Sequence, residues 1–353
     1  MKYLNVLLVF IPITLVARFI LHASDGVVFA TSCLSIIPLA VIIGDATEQI
    51  SLYTGPKVGG FLNATMGNVP ELLIAGFSVK AGLYSLVLAT LAGSIMGNIM
   101  LVMGLSIFLG GLNFKFQIFN KNLVRSNFAL LSFAAFSIII PFAFESFSNG
   151  TMNDAAMSKF SLMLAITMLA VYVIGLYFSL FTHKDTFQDV DEDEEHEEPK
   201  WKMRTGVMVL IGATFFVAIM SETLVATVET AAEQFHLSEA FIGIILIPIL
   251  GNVAEHASAM IMAYKGKLDI AIEIAAGSSM QIALLVTPLM VVLSAILGNT
   301  MHYVYTASEL LAIVIGIMMA GFVLMDNKTN WLEGFQLMIA YFVIGAAFLI
   351  FGI

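Results

Sequence analysis

Two runs of this sequence, GNVPELLIAG from Gly67 and GNVAEHASAM from Gly251, hold the side chains with chemistry to offer. Each places an asparagine, Asn68 or Asn252, three positions before a glutamate, Glu71 or Glu255. A second pair, AGSIMGN from Ala92 and AGSSMQI from Ala276, recurs at the same spacing of 184 residues and adds Ser94, Asn98, Ser278, Ser279 and Gln281. Gly82 and Gly266 fall at that spacing as well. These carboxylates, amides and hydroxyls are hard oxygen donors, which suit Ca²⁺ better than softer transition metals. Two carboxylates close together in a low dielectric cannot both stay ionised and uncompensated, so either protons or a cation must neutralise them. Proton and divalent cation then compete for one pair of oxygens, which is the thermodynamic core of an antiporter. One Ca²⁺ or two H⁺ neutralises the pair equally, and a 1:2 exchange follows naturally.

The chain around these residues is a membrane protein by composition. Of 353 residues, 59% are hydrophobic and 11% charged, with a mean hydropathy of +0.97. A soluble domain is about 45–50% apolar and about 25% charged. Runs of about 20 apolar residues bounded by Gly, Pro or charge predict eleven spans, near 3–22, 27–44, 61–80, 84–110, 126–147, 158–182, 204–228, 239–264, 268–296, 304–325 and 330–353. The first has no small-residue cleavage pattern after it and reads as a retained helix. The single Cys33 excludes internal disulfides and a thiolate metal site. No Gly-rich phosphate loop, CxxC pair or nucleophile elbow is present, and no cofactor or nucleic-acid partner is expected.

Eleven alternating spans divide the basic residues unevenly. Twelve fall on the side of the N-terminus, and Arg18, Lys80 and Lys159 on the other. Basic residues concentrate in the cytoplasm, which predicts a multi-pass cell-membrane protein with a cytoplasmic N-terminus and an external C-terminus. The two glutamate motifs sit in spans three and eight. An odd separation makes them cross in opposite directions, so spans 2–6 and 7–11 read as inverted five-helix repeats, over 27–182 and 204–353, with helix 1–26 left over. Inverted repeats with a midplane site at their interface are a transporter architecture. The segment 183–203 joins them on the cytoplasmic side, and its DVDEDEEHEE holds eight acids in ten positions. It reads either as a solvated linker or as a segment that gathers divalent cations.

Glu71 and Glu255 fall well inside the hydrocarbon, about ten and sixteen residues into their spans. An ionisable residue there costs several kcal/mol unless paired, hydrated or protonated, which marks a functional site. Gly67 and Asn68 lie one turn before Glu71, as Gly251 and Asn252 do before Glu255. Pro70 lacks an N–H and frees a carbonyl near Met66, opening a turn that can aim oxygens at a cation. The hydroxyls and amides of Ser94, Asn98, Ser278, Ser279 and Gln281 read equally as ligands or as interhelical hydrogen bonds. His256 points away from Glu255's side of the helix and reads as a proton relay, a tuning group or a buried hydrogen-bonded residue. Asp45 with Glu48, and Glu222 with Glu229, are candidates for access or gating, with plain solvation the alternative. Glu273 is a further buried-acid candidate.

Together GGFLNATMGNVPELLIAG, GSIMGNIMLVMGLSIFLGG, PILGNVAEH and GSSMQIALLVTP resemble the calcium/proton exchanger family, the cation/proton antiporters of the calcium/cation antiporter superfamily. The resemblance runs from about Gly44 to the end and includes the acidic segment. It implies exchange of cytoplasmic Ca²⁺ for external protons. It also implies that Glu71 and Glu255 are the paired cation-binding glutamates, with Asn68, Asn252, Ser279 and Gln281 lining the site. Val69-Pro70 stands where the family more often has Ala-Thr, and Gly97 where Ser is commoner. The Pro-Glu-Leu is shared with sodium/calcium exchangers, while the motif asparagines and His256 favour the proton.

The reading is an all-α Ca²⁺/H⁺ antiporter working by alternating access, in contact with membrane lipid. Mn²⁺ as a further substrate and self-association into a homo-oligomer stay open. A sodium-coupled or potassium-dependent Ca²⁺ exchanger on the same scaffold is the nearest alternative, and a cation channel the next. An intramembrane hydrolase is disfavoured, because the second motif lacks the i, i+4 His pair of a metalloprotease.

Overall fold

Without water to serve backbone N–H and C=O groups, long apolar runs must satisfy them internally, and helices do so. The computed structural model describes residues 4–148, 153–182 and 199–352. They form a helical bundle whose one sheet, among the described residues, is a two-stranded antiparallel ribbon of Gln117–Ile118 and Lys328–Thr329. The acidic run 189–198 lies outside the described residues.

Among the described residues seven helices are long and apolar enough to cross a membrane, and eight if one bent pair is a single span. The expected eleven are not reached by length and composition, for three local reasons. The first segment, Leu4–Phe19, and the tenth, Ala307–Val323, are shorter apolar helices. The third is divided: Asp25–Met66 runs past the expected end of the second span, and a new helix starts at Val69. Within Asp25–Met66 the chain changes direction at Gly55 (φ 78°, ψ 169°). That backbone conformation is open to glycine alone, and the residue before a proline is already biased away from helix.

The central 18-residue stretch of the Tyr84–Asn113 span is wholly buried, whereas Asp154–Tyr177 and Trp331–Phe351 turn most of their surface outward. Close crossings surround the buried span. A Cβ on Gly93 would collide with the Ile244 carbonyl, and one on Gly334 with the Phe108 backbone nitrogen. The large side chains Leu91, Ile95, Ile99 and Met100 are fully buried on this span, so it forms the axis around which the motif helices are packed. Gly82 (φ 79°) and Gly266 (φ 81°) end matching helices in the left-handed conformation.

One long-range tie fixes the start of the second half. The Gln49 side-chain Oε1 accepts from the backbone N–H of Lys200 (2.7 Å) and Trp201 (3.2 Å), and the Tyr53 hydroxyl donates to the Trp201 carbonyl (2.7 Å). The chain leaving the acidic run is thereby held to the Asp25–Met66 helix before Met203–Phe235 begins.

Candidate functional site

Both motif helices are broken at the motif. Asn68 (φ −94°, ψ 15°) and Asn252 (φ −93°, ψ 13°) leave the helical region with nearly identical dihedrals. The eighth span, which carries the second motif and is expected to be continuous, bends by 61° between Glu239–Gly251 and Val253–Tyr264. Pro70 sits in the first turn of the first broken helix, but the second break has Ala254 at that position. The shared feature is Gly-Asn, not the proline. Each motif asparagine therefore caps a new helix. Leu72 N–H donates to the Asn68 carbonyl and His256 N–H to the Asn252 carbonyl, both at 2.9 Å.

The breaks put each glutamate in the first turn of a half-helix, at Val69–Ala81 and Val253–Tyr264. The positive end of a helix dipole favours an anion there. Glu71 is fully buried. Its Oε1 lies so close to the second break that a Cβ on Gly251 would stand 2.5 Å away, so the carboxylate of one motif rests on the backbone of the other. Glu255 is near enough to Glu71 for direct electrostatic repulsion.

A network of amides and hydroxyls surrounds the pair. Asn68 Nδ2 donates to Gln281 Oε1 (2.6 Å), and Ser278 Oγ donates to Asn68 Oδ1 (3.1 Å). Asn98 Nδ2 donates to Ser278 Oγ (3.0 Å). Asn252 Nδ2 donates to the Pro248 carbonyl (3.0 Å) and reaches Ser94 Oγ (3.4 Å). Ser279 instead donates to backbone, to the Ala275 carbonyl at 2.9 Å and the Ile95 carbonyl at 3.3 Å. Ser94, Asn98, Ser278, Ser279 and both motif asparagines are buried.

Five acceptor oxygens in this cluster are buried with no hydrogen-bond partner: both of Glu71, Glu255 Oε2, Asn98 Oδ1 and Asn252 Oδ1. Buried acceptors are ordinarily satisfied, and each orphan costs about 1–3 kcal/mol. Among the described residues no three His, Cys, Asp or Glu side chains gather as a metal cluster. The donor set is two carboxylates supplemented by amide oxygens.

The peripheral candidates separate. His256 is buried in the first turn after the second break. Asp45 is half-buried and follows Gly44, whose would-be Cβ is 3.6 Å from the Ala254 side chain, so it borders the second motif. Glu48 is exposed on the same helix. Glu222 forms an exposed ion pair with Lys80 (3.5 Å), and Glu229 lines an open cleft of about 680 Å³ with Glu233, His236 and Glu239. Neither belongs to the buried cluster. Glu273 is exposed, because it lies off the helix face that carries Ala271, Ala275 and Ser278 into the core. It is not a buried acid.

Sequence reasoning missed one structural device. Gly97–Val102 and Ile282–Val286 are π-helical turns at corresponding positions, the first containing Asn98 and the second directly following Gln281. Such turns insert one residue into a helix and often occur at functional sites. Here they re-aim the side chains that follow the AGS motifs.

The sodium/calcium exchanger protein family matches residues 25–181 and 205–350. The chain is 45% identical to the Ca²⁺/H⁺ antiporter ChaA of Bacillus subtilis (strain 168), over 96% of both proteins. It is 39% identical to the Ca²⁺/H⁺ antiporter of Aphanothece halophytica, over 97% of this chain and 95% of that one. Among solved structures, native YfkE superposes with a TM-score of 0.85 at 39% identity, covering 98% of this chain and 99% of that one.

Proposed function

The chain belongs to the sodium/calcium exchanger protein family, and we infer from that premise that it exchanges Ca²⁺ for H⁺ across a membrane. It is a multi-pass transporter of the calcium/proton exchanger branch, not an enzyme; its close relatives are named Ca²⁺/H⁺ antiporters. The observation that carries the site assignment is the set of five orphaned acceptor oxygens around Glu71 and Glu255. Five oxygens approach the six to eight that Ca²⁺ takes. A proton on each carboxylate satisfies the same electrostatic demand.

In this reading Glu71 and Glu255 bind one Ca²⁺ or two H⁺, and Asn98 and Asn252 complete the oxygen shell. The carbonyl ends of the half-helices that stop before Asn68 and Asn252 add negative potential at the cation. The network through Asn68, Ser278 and Gln281 orients these groups, while Ser94 steadies Asn252 and Ser279 ties its helix to Ile95. Asp45 borders the approach from the cytoplasmic side. The matched breaks, π-turns and glycine caps at 184 residues' spacing support two repeats, and alternating spans support their inversion. Movement of one repeat against the other would then expose the site alternately. The basic residues support a cytoplasmic N-terminus and an external C-terminus.

Ca²⁺ uptake into reconstituted vesicles under an imposed pH gradient, without sodium or potassium, tests the proposal. Uptake should collapse with the gradient and fall at least about 100-fold in Glu71→Gln and in Glu255→Gln, since each removes one of two charges from a buried site. A sodium requirement at fixed pH would select sodium coupling. Downhill flux indifferent to pH and intact in both variants would select a channel.

A further inference from the structure

Three connecting segments meet at one end of the bundle. Asn113 Nδ2 donates to the Tyr264 carbonyl (3.3 Å), and the Phe114 ring packs on Gly266, where a Cβ would be 3.0 Å away. Gln117 and Ile118 pair with Thr329 and Lys328, and Asn120 N–H donates to the Asp269 carboxylate. This convergence gathers the exposed cations Lys115, Lys121, Arg125, Lys265, Lys267 and Lys328 against the two acids Asp269 and Asp326. Among the described residues the salt bridges are Lys80–Glu222 and His302–Asp154, so none of these six cations has one.

The arrangement at Phe116 is specific. Lys115 Nζ lies 6.0 Å and Lys328 Nζ 5.3 Å from the centroid of this one ring. Two ammonium groups drawn to one ring repel each other unless an anion joins them. The ring is 52% exposed and the neighbouring Ile118 is 77% exposed. Exposed apolar side chains interleaved with unpaired lysines suit neither water alone nor hydrocarbon alone. They suit the boundary, where headgroup charge and acyl chain lie within a few ångströms.

We propose that this ribbon seats the phosphodiester of an anionic phospholipid, with Lys115 and Lys328 on the phosphate and Phe116 and Ile118 against the chains. A free phosphate would engage the lysines but has nothing to place on Ile118. Which leaflet the seat faces rests on the orientation proposed above; the seat itself does not, and it is independent of transport.

The full-length protein in nonionic detergent would be titrated with phosphatidylglycerol or with phosphatidylcholine, reading thermal unfolding and bound lipid by native mass spectrometry. Phosphatidylglycerol should bind in preference and raise Tm. Its apparent affinity should fall about 30-fold in Lys115→Gln/Lys328→Gln, at about five-fold per lysine. The Lys115→Arg/Lys328→Arg pair should keep wild-type affinity. Phe116→Leu keeps both charges and reports if the glutamine pair does not fold; it should weaken binding several-fold. An unchanged response in the glutamine pair, or in Phe116→Leu when that pair does not fold, overturns the seat. An equal Tm rise with sodium phosphate overturns its assignment to lipid. A transport-dead variant with an intact phosphatidylglycerol response places the failure in the transport reading instead.

Discussion

Gly251→Ala adds one methyl group at the point where the two motifs touch. The new Cβ would stand 2.5 Å from Glu71 Oε1 and 3.1 Å from its carboxyl carbon. Ordinary contact begins near 3.4 Å, so the carboxylate must retreat by about 0.9 Å. A Ca²⁺–oxygen bond spans about 2.3–2.6 Å, and a working metal site tolerates about 0.2 Å of error. The displaced oxygen therefore leaves the coordination shell. A misplacement of about 1 Å costs about 100-fold, and this is the expected rise in the KM for Ca²⁺ in vesicle uptake.

The fold should be spared. The atom that must move is the end of a flexible side chain, and alanine is favoured over glycine in a helix by up to about 1 kcal/mol. Tm should stay within a few degrees of the parent. Gly277→Ala is the control: it lies beside Ser278, yet a Cβ there meets nothing within 4 Å. It should transport normally. A Gly251→Ala protein with wild-type KM would refute the contact between the motifs, and with it the shared site.

The proposed sharing of oxygens by proton and cation also predicts a pH response. Lowering pH protonates the carboxylates and removes the charge that holds Ca²⁺, so the apparent KM should rise as pH falls. The slope of log KM against pH should approach about −2 where two protons are displaced; a flat profile would separate the proton from the site. Gly93→Ala, by contrast, meets the unyielding backbone carbonyl of Ile244. Overpacking should cost about 1–3 kcal/mol and lower Tm by several degrees in a melt, and an unshifted Tm would contradict the close crossing. Gln49→Ala removes the acceptor for the Lys200 and Trp201 amides. Opening of that segment should become about 10-fold easier, given about 0.5–1.5 kcal/mol per lost bond. Trypsin cleavage after Lys200 or Lys202 reports it, and an unchanged rate would mean the tie does not hold the segment.

Composition alone announces a helical membrane protein, and oxygen-bearing residues at one repeated spacing announce the candidate site. That both motifs, Asn98, Ser278 and Gln281 would gather in one polar cluster was legible because polar groups in an apolar run need partners. The break at Asn252 was not legible. Hydropathy sums over a window do not register a one-residue change of direction, and no proline marks this one. The π-turns were hidden for a related reason: one inserted residue turns the following face by about 100° but leaves composition untouched. The tie from Gln49 to Lys200 spans 151 residues, and a glutamine on a helix does not reveal its partner. Glu273 misled because its apolar neighbours suggested burial, while burial is decided by the helix face.

The two halves agree in backbone and differ in side chains, and the difference separates bonded from unbonded amide oxygens in the proposed site. Asn68 and Asn252 share their dihedrals, and Glu71 and Glu255 their place in the first helical turn. The partner of Asn68, however, is Gln281, whose counterpart 184 residues earlier is Gly97. Gly97 has no amide to offer. Asn252 therefore turns its Nδ2 to the Pro248 carbonyl and Ser94, leaving its Oδ1 orphaned. Asn68 Oδ1 is instead occupied by Ser278. Asn98, whose own counterpart is Ile282, anchors Ser278 with its Nδ2 and also leaves Oδ1 orphaned. A strict two-fold site would give a cation identical ligands from both repeats. In the proposed site a cation would meet a carboxylate from each half, but the free amide oxygens belong to Asn98 and Asn252, while Asn68 Oδ1 is taken by Ser278.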